Sequence, residues 1–271
     1  MKDLPIIGAQ LTVLDLPKHR DWLFEKNRDL ELPEFCMADI LAAPDPFIDM
    51  AKKALKGWSG RLGIHGPFAG FELDVKDKEI RAVVQKRLDQ ALDVCDALGA
   101  TQMVLHSPYN HWDLTNLDNN ARARGKRISA ALDTLAPALK RAEAIGVEMV
   151  LENIQDVDPK DRVAVVEAAN SPALKVSVDV GHAYWAHVMA GGPPVDRYVS
   201  FAGDLLTHVH LQDADGYADR HWVLGEGTIP FAPIFAALGA LKSNPRLIVE
   251  INEFGRVPES VAHLERLGLG Q

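Results

Sequence analysis

Short apolar runs rich in Val, Ile and Leu alternate along the chain with longer segments in which apolar residues return every three or four positions. The first pattern fits buried strands, and the second fits amphipathic helices packed on them. Eight strands are predicted, over residues 5–11, 30–35, 62–65, 102–106, 148–152, 175–179, 207–211 and 247–251. Helical spacing is clearest over 77–98, where Ile80, Val84, Leu88, Ala91, Cys95 and Leu98 form one stripe and Gly99 supplies the stop. A second long helix is predicted over 119–145, with Ile128, Leu132, Leu135 and Leu139 on one face and Gly146 behind it. Shorter helices are expected at 46–56, 159–169, 231–241 and 258–267. Several open at or near a proline, whose missing N–H does no harm in a first turn. Eight strands in regular βα alternation predict an α/β fold, a single (β/α)8 TIM barrel occupying residues 1–271, with 191–194 a loop inside it.

Composition narrows the picture. Hydrophobic residues make up 47% and charged residues 25% of the 271, which fits a packed globular chain. No stretch approaches membrane-spanning length and the start lacks a cleavable apolar leader, so no membrane partner and a cytoplasmic location are expected. The two cysteines, Cys36 and Cys95, have no paired spacing and read as buried small side chains rather than nucleophiles. A net charge of −9 argues against a nucleic-acid partner unless bound cations change the local field. No glycine-rich phosphate fingerprint is present.

Chemistry collects at the predicted strand ends. His65 closes LGIH, His106 closes MVLH, Glu152 closes MVLE, Asp179 and His182 follow VSV, His210 lies in HVHLQD, and Glu250 lies in IVEINE. In a barrel such positions converge on one mouth, whereas an unpaired charge inside a strand would be heavily desolvated. A divalent cation offsets that cost, and Glu152, Asp179, His210 and Glu250 offer one imidazole nitrogen and three carboxylates from four strands. Alternation supports this, since Glu148, Val150 and Glu152 share one strand face, as do Lys175, Ser177 and Asp179. After the seventh strand comes DADGYADRHWVLGEGTIPF, in which Asp219, Arg220 and His221 precede a turn containing Gly225, Glu226 and Gly227. There Arg220 is expected to clamp an oxyanion and His221 to bind metal. His208 is expected beneath His210 as its partner, and His19, His111, His187 and His263 are expected to be ordinary surface residues.

On these motifs, IHGPF, VLHSP, LEN, VDVGH, HLQD, DRHWVLGEG and VEIN in that order, the chain resembles the xylose isomerase-like TIM-barrel superfamily. That superfamily joins sugar-phosphate isomerases and epimerases to abasic-site endonucleases, and the resemblance spans nearly the whole chain. In the isomerase and epimerase branch it implies one Mn2+, Zn2+ or Mg2+ held by Glu152, Asp179, His210 and Glu250. Glu152 and Glu250 would double as acid and base, moving a proton next to the carbonyl of a small sugar or sugar phosphate. His182 and Arg220 would hold substrate oxygens, with His65, His106 and His221 lining the pocket. In the endonuclease branch it implies three zinc ions on His65, His106, Glu152, Asp179, His182, His210, Asp219, His221 and Glu250, all present here. Against the endonuclease stand the acidic charge, the segment after His65, and a first strand, IIGAQLT, without the histidine many endonucleases carry there. The basic run Arg122, Arg124, Lys126 and Arg127 reads as a solvated helix surface. A lyase or dehydratase acting on a keto-sugar would use the same metal and base. A binding protein without turnover would not need two proton-transfer carboxylates. The resemblance also makes a homo-oligomer reasonable.

Overall fold

The computed structural model describes residues 4–271. Eight parallel strands pair in chain order: β1 (Gly8–Gln10), β2 (Leu30–Leu32), β3 (Leu62–His65), β4 (Gln102–His106), β5 (Glu148–Glu152), β6 (Leu174–Asp179), β7 (Leu206–Leu211) and β8 (Arg246–Val249). β8 closes on β1, so the predicted (β/α)8 barrel is the fold observed.

Alternation along the strands sorts side chains between two environments. Met103, Leu105, Met149 and Leu151 enter the apolar core shared with the helices. Gln102, Val104 and His106, like Glu148, Val150 and Glu152, occupy the opposite face, inside the barrel. Register sets His106 beside Glu152 and Asp179 beside His210 at the C-terminal rim. The interior is polar and bonded: deep in the barrel Glu148 Oε1 accepts from Gln102 Nε2 at 2.8 Å and from Thr207 Oγ1 at 2.6 Å.

β3, β4 and β5 have the predicted ends, while the first, second and last strands are shorter than predicted. Pro33 has no N–H for the ladder, and the chain turns into a 3-10 helix at Glu34–Cys36. Glu250 therefore lies one residue beyond β8, its N–H still bonding the Leu211 carbonyl at 2.9 Å. The long helices run over Lys78–Leu98 and Ala123–Ile145. The first opens on the Asp77 side chain, which accepts from the Glu79 and Ile80 amides; both end on left-handed glycines, Gly99 and Gly146. The second starts later than residue 119 because Leu117–Asn119 is itself a 3-10 turn.

Helices at Leu16–Glu25, Ala38–Ala42, His111–Asn116, Val180–Ala190 and Val195–Ala202 were not among those predicted, although the last does carry a stripe of Val195, Tyr198, Val199 and Ala202. Val180–Ala190 is apolar almost all round and begins where β6 stops, so neither a stripe nor a turn marks it. His19 corrects the surface expectation: it lies in the first of these helices at 6% exposure, and burial lowers its pKa. No helix among the described residues is long and apolar enough to cross a membrane.

Candidate metal centre

Four groups of side chains present ligand atoms within 4.8 Å of one another, and three of them meet at the rim. His65, His106 and Glu152 form one; Glu152, Asp179, His210 and Glu250 form the second; His182, Asp219 and His221 form the third. Glu152 belongs to two of them. Its Oε1 lies 2.7 Å from His210 Nδ1. Its Oε2 is buried without a hydrogen-bond partner, 3.6 Å from His65 Nε2 and 3.8 Å from His106 Nε2. An orphaned carboxylate oxygen facing two imidazole nitrogens is costly unless a cation lies among them, so these residues fit a divalent ion.

The imidazole orientations point the same way. His65 Nδ1 lies 3.0 Å from the Gly66 carbonyl, His182 Nδ1 2.8 Å from the Asn153 carbonyl, and His221 Nδ1 3.2 Å from the Glu250 carbonyl. Each carbonyl can accept the Nδ1–H and so directs Nε2 toward carboxylate oxygens, leaving Nε2 as the atom that can ligate once its proton is lost. His106 is held differently, its ring stacked on Phe68 with centroids 3.9 Å apart. Burial pushes its pKa down to about 3, which keeps the imidazole neutral.

Asp179 starts the Val180–Ala190 helix, and its Oδ1 accepts from the His182 amide at 2.7 Å. Asn153 grips the same residue from both sides, its Nδ2 donating to the Asp179 carbonyl and its Oδ1 accepting the Asp179 amide. Gln212 ties the second group to the third. Its Nε2 reaches Asp179 Oδ1 and Asp219 Oδ1, both at 3.1 Å, while its Oε1 accepts the His221 amide at 2.8 Å. A Cβ on Gly181 would collide with that amide, so the glycine of VDVGH makes room for Gln212. Sequence reasoning missed Asn153, Gln212 and, deeper, Gln10 and Glu31. Gln212 shares the inward phase of His210, two residues away, and that phase is the signal that could have found it.

Electrostatics follow from this crowding. Burial opposes a charge on His210, yet Glu250, Glu152 and Glu31 around it raise its pKa well above the ordinary value. Burial also opposes charge on His221, but its bond to Asp219 lifts it to about 9. Asp219, despite its own burial, is held far below the usual carboxylate range by His182 and His221. Burial raises Glu250, with Glu152 adding to the effect. Cys36 lies beside the ligand groups, lining one cavity with His65, Glu152 and Glu250, and burial pushes its thiol up to about 11, which suits the inert role expected of it.

Above the ligand groups lies a cavity of about 280 Å³, walled in part by Phe68 and Ile154. It adjoins two further hollows of about 300 Å³ each, one beside Phe71 and Tyr109 and one beside Trp185. Arg220 does not join the ligand groups. Its guanidinium donates to Asp215 Oδ2 at 2.8 Å and lies over the Trp222 ring, 5.3 Å from its centroid. The turn holding Gly225 and Gly227 is tightly packed: Asp213 accepts from the Ala214, Gly225 and Ile229 amides, and a Cβ on either glycine would strike a neighbour. Of the basic run, Arg124 pairs with Asp118 and Asp161, and Arg127 donates to Asp113 and the Pro108 carbonyl. Arg127 thus braces the segment after β4, and its Nη1 also lies 3.4 Å from Asp74 Oδ2 in the loop after β3, instead of standing free in solvent.

Fold and site together define a (β/α)8 barrel with a cluster of potential metal ligands at its C-terminal mouth. The chain belongs to the xylose isomerase-like TIM barrel family, which residues 33–267 match. It is similar to fructoselysine 3-epimerase of Escherichia coli O157:H7, with 30% identity over 104 residues, 36% of each chain. An uncharacterised protein of Methanocaldococcus jannaschii is 26% identical over 188 residues, 65% of this chain; the match spans 59% of that relative's length. Among solved structures, a Thermus thermophilus protein soaked with zinc chloride superposes with a TM-score of 0.74 at 26% identity, covering 98% of this chain and 99% of the other. A D-tagatose 3-epimerase-like protein superposes at 0.78 with 20% identity over 96% of each chain, a likeness of fold.

Proposed function

We propose that the protein is a metal-dependent isomerase or epimerase that moves a proton at the carbon next to the carbonyl of a small sugar, keto-sugar or sugar phosphate. The observation that carries this reading is the convergence of Glu152 and Glu250, from β5 and from just beyond β8, on one four-residue ligand group under a cavity of about 280 Å³. Glu152, Asp179, His210 and Glu250 would hold the ion. A bound divalent ion would polarise the substrate's carbonyl and hydroxyl oxygens, which makes the neighbouring C–H more acidic. One carboxylate oxygen then takes the proton, and the carboxylate facing it returns one. Glu152 Oε2 has no competing hydrogen bond, so it is free to receive one. Phe68 and Ile154 line the cavity and would limit water beside a reacting carbon held there. His65 and His182 would orient substrate hydroxyls.

Fructoselysine 3-epimerase, by its name, and the barrel likeness to the D-tagatose 3-epimerase-like protein support the sugar class. The test is exchange with solvent deuterium in a panel of ketohexoses incubated with the manganese-loaded protein. Wild type is expected to incorporate deuterium, while Glu152→Gln and Glu250→Gln each lose activity by roughly 10²–10⁴-fold and still take up metal. Normal turnover by both variants would refute the proton-transfer assignment.

One observation favours a second reading, phosphodiester hydrolysis at a multinuclear centre. Glu152 is shared by two ligand groups, and His182, Asp219 and His221 complete a third. Such an enzyme should hold about three zinc ions per chain by elemental analysis and incise an abasic duplex. One ion and no incision would exclude it.

A further inference from the structure

Glu31 on β2 is 2% exposed and sits directly beneath the ligand groups, with no part in the chemistry derived so far. Its Oε1 accepts from Gln10 Nε2 at 2.9 Å and from His210 Nε2 at 3.1 Å. Its Oε2 lies 3.1 Å from His208 Nε2, and His208 Nδ1 is in turn 2.8 Å from Ser177 Oγ. Gln10 also donates to Glu250 Oε1 at 2.6 Å, so one amide joins Glu31 to Glu250.

His210 reverses the orientation of its neighbours. His65, His182 and His221 direct Nδ1 to backbone carbonyls and leave Nε2 to the carboxylates. His210 instead turns Nδ1 to Glu152 Oε1 and Glu250 Oε2, at 2.7 and 3.2 Å, and gives Nε2 to Glu31. The cause is topological. His65 lies at a strand's last residue, and His182 and His221 lie beyond strands, where free carbonyls are available. His210 lies within β7, where every nearby carbonyl is turned sideways into the strand ladder. Inside the barrel the Glu31 side chain is the acceptor placed for its second N–H.

We infer that Glu31 is a positioning residue for the candidate metal centre: it fixes His210 as the Nε2–H tautomer with Nδ1 as the ligand atom, and through Gln10 it holds Glu250 against that atom. A charged acceptor also makes the opposite ring nitrogen a better donor to a metal, which a backbone carbonyl does less strongly. The inference rests on the reading of His210 and Glu250 as ligands, but not on which reaction the centre performs.

The experiment is cobalt(II) affinity by chelator competition in wild type, Glu31→Gln and Thr207→Val. The last removes a part-buried hydrogen bond lower in the same barrel, between Thr207 and Glu148. Glu31→Gln is expected to lose roughly 10–100-fold in affinity, and Thr207→Val to stay within about two-fold of wild type. Should Glu31→Gln fail to fold, ring ¹⁵N shifts of the zinc-loaded wild type give the same answer: His210 must show a protonated, slowly exchanging Nε2. Unchanged affinity in Glu31→Gln, an equal loss in Thr207→Val, or an Nδ1-protonated His210 would overturn the inference while leaving the metal centre standing. Wild type that takes up no cobalt would overturn both.

Discussion

At the scale of single residues, His221 shows how its surroundings set proton affinity. Its backbone is left-handed, with φ of 48°, an uncommon conformation for a residue other than glycine. Gln212 holds its amide and Asp219 its Nε2. Its pKa rises from 6.5 to about 9 in the folded metal-free protein, so the stabilisation it contributes is complete below pH 6.5 and lost as the pH climbs through 9. The melting temperature of the chelator-treated protein should therefore decline between those values. Thermal scans of His221→Asn should show that decline flattened, and an identical slope in the variant would disprove the assignment. Seven rim residues, His65, His106, Glu152, Asp179, His182, His210 and Glu250, could be read from the sequence because His and carboxylates at apolar strand ends are conspicuous, and Asp219 and His221 were marked by the charged triplet after the seventh strand. Gln10, Glu31 and Gln212 were not legible in this way. Gln and Glu inside short strands look like ordinary polar punctuation until barrel closure brings them against His210 and Asp179. Arg220 was marked for the mouth by its place in DRH, and in the structure Asp215, five residues earlier, holds its guanidinium.

Among elements, the strands and long helices were foreseeable because each carries its own period and its own stop. β3 to β5 are bounded by residues that end them on both sides, and Gly99 and Gly146 end helices in the left-handed conformation that glycine adopts without strain. Short helices at the rim were hidden, since five or six residues cannot display a stripe. The loop after β7 was recognised by composition, although its glycines serve close packing. Gly225 has φ of 98°, and a Cβ there would enter the His263 ring. Gly225→Ala should cost more than the roughly 1–2 kcal/mol of left-handed strain alone, because the ring must also move. Urea unfolding measures this, and a loss under about 0.5 kcal/mol would contradict the packing described.

For the whole molecule, closure of β8 on β1 brings residues some 240 positions apart into contact, as in the Gln10–Glu250 bond. The ligand groups draw on β3 to β7 and on the segments after β6, β7 and β8, so an ion held there would brace most of the barrel's upper rim. Ligation of the native state alone stabilises it by about 2.7 kcal/mol at a hundredfold excess over Kd. Manganese or zinc should raise the melting temperature of the chelator-treated protein by several degrees in a concentration-dependent way. A midpoint indifferent to added ion would speak against a native centre.

Asp179 both offers a carboxylate to the centre and nucleates the helix carrying His182 and Trp185. Truncation to alanine would therefore confound two losses, of charge and of the helix's first bond, the latter about 1 kcal/mol. Asparagine separates them: Asp179→Asn should melt near the wild-type temperature without metal yet bind the ion far more weakly, whereas Asp179→Ala should fall in both. In a barrel whose helices spring straight from its rim, the atoms that could hold an ion are also those that start the chain's helices, and mutagenesis must choose which of the two roles it interrogates.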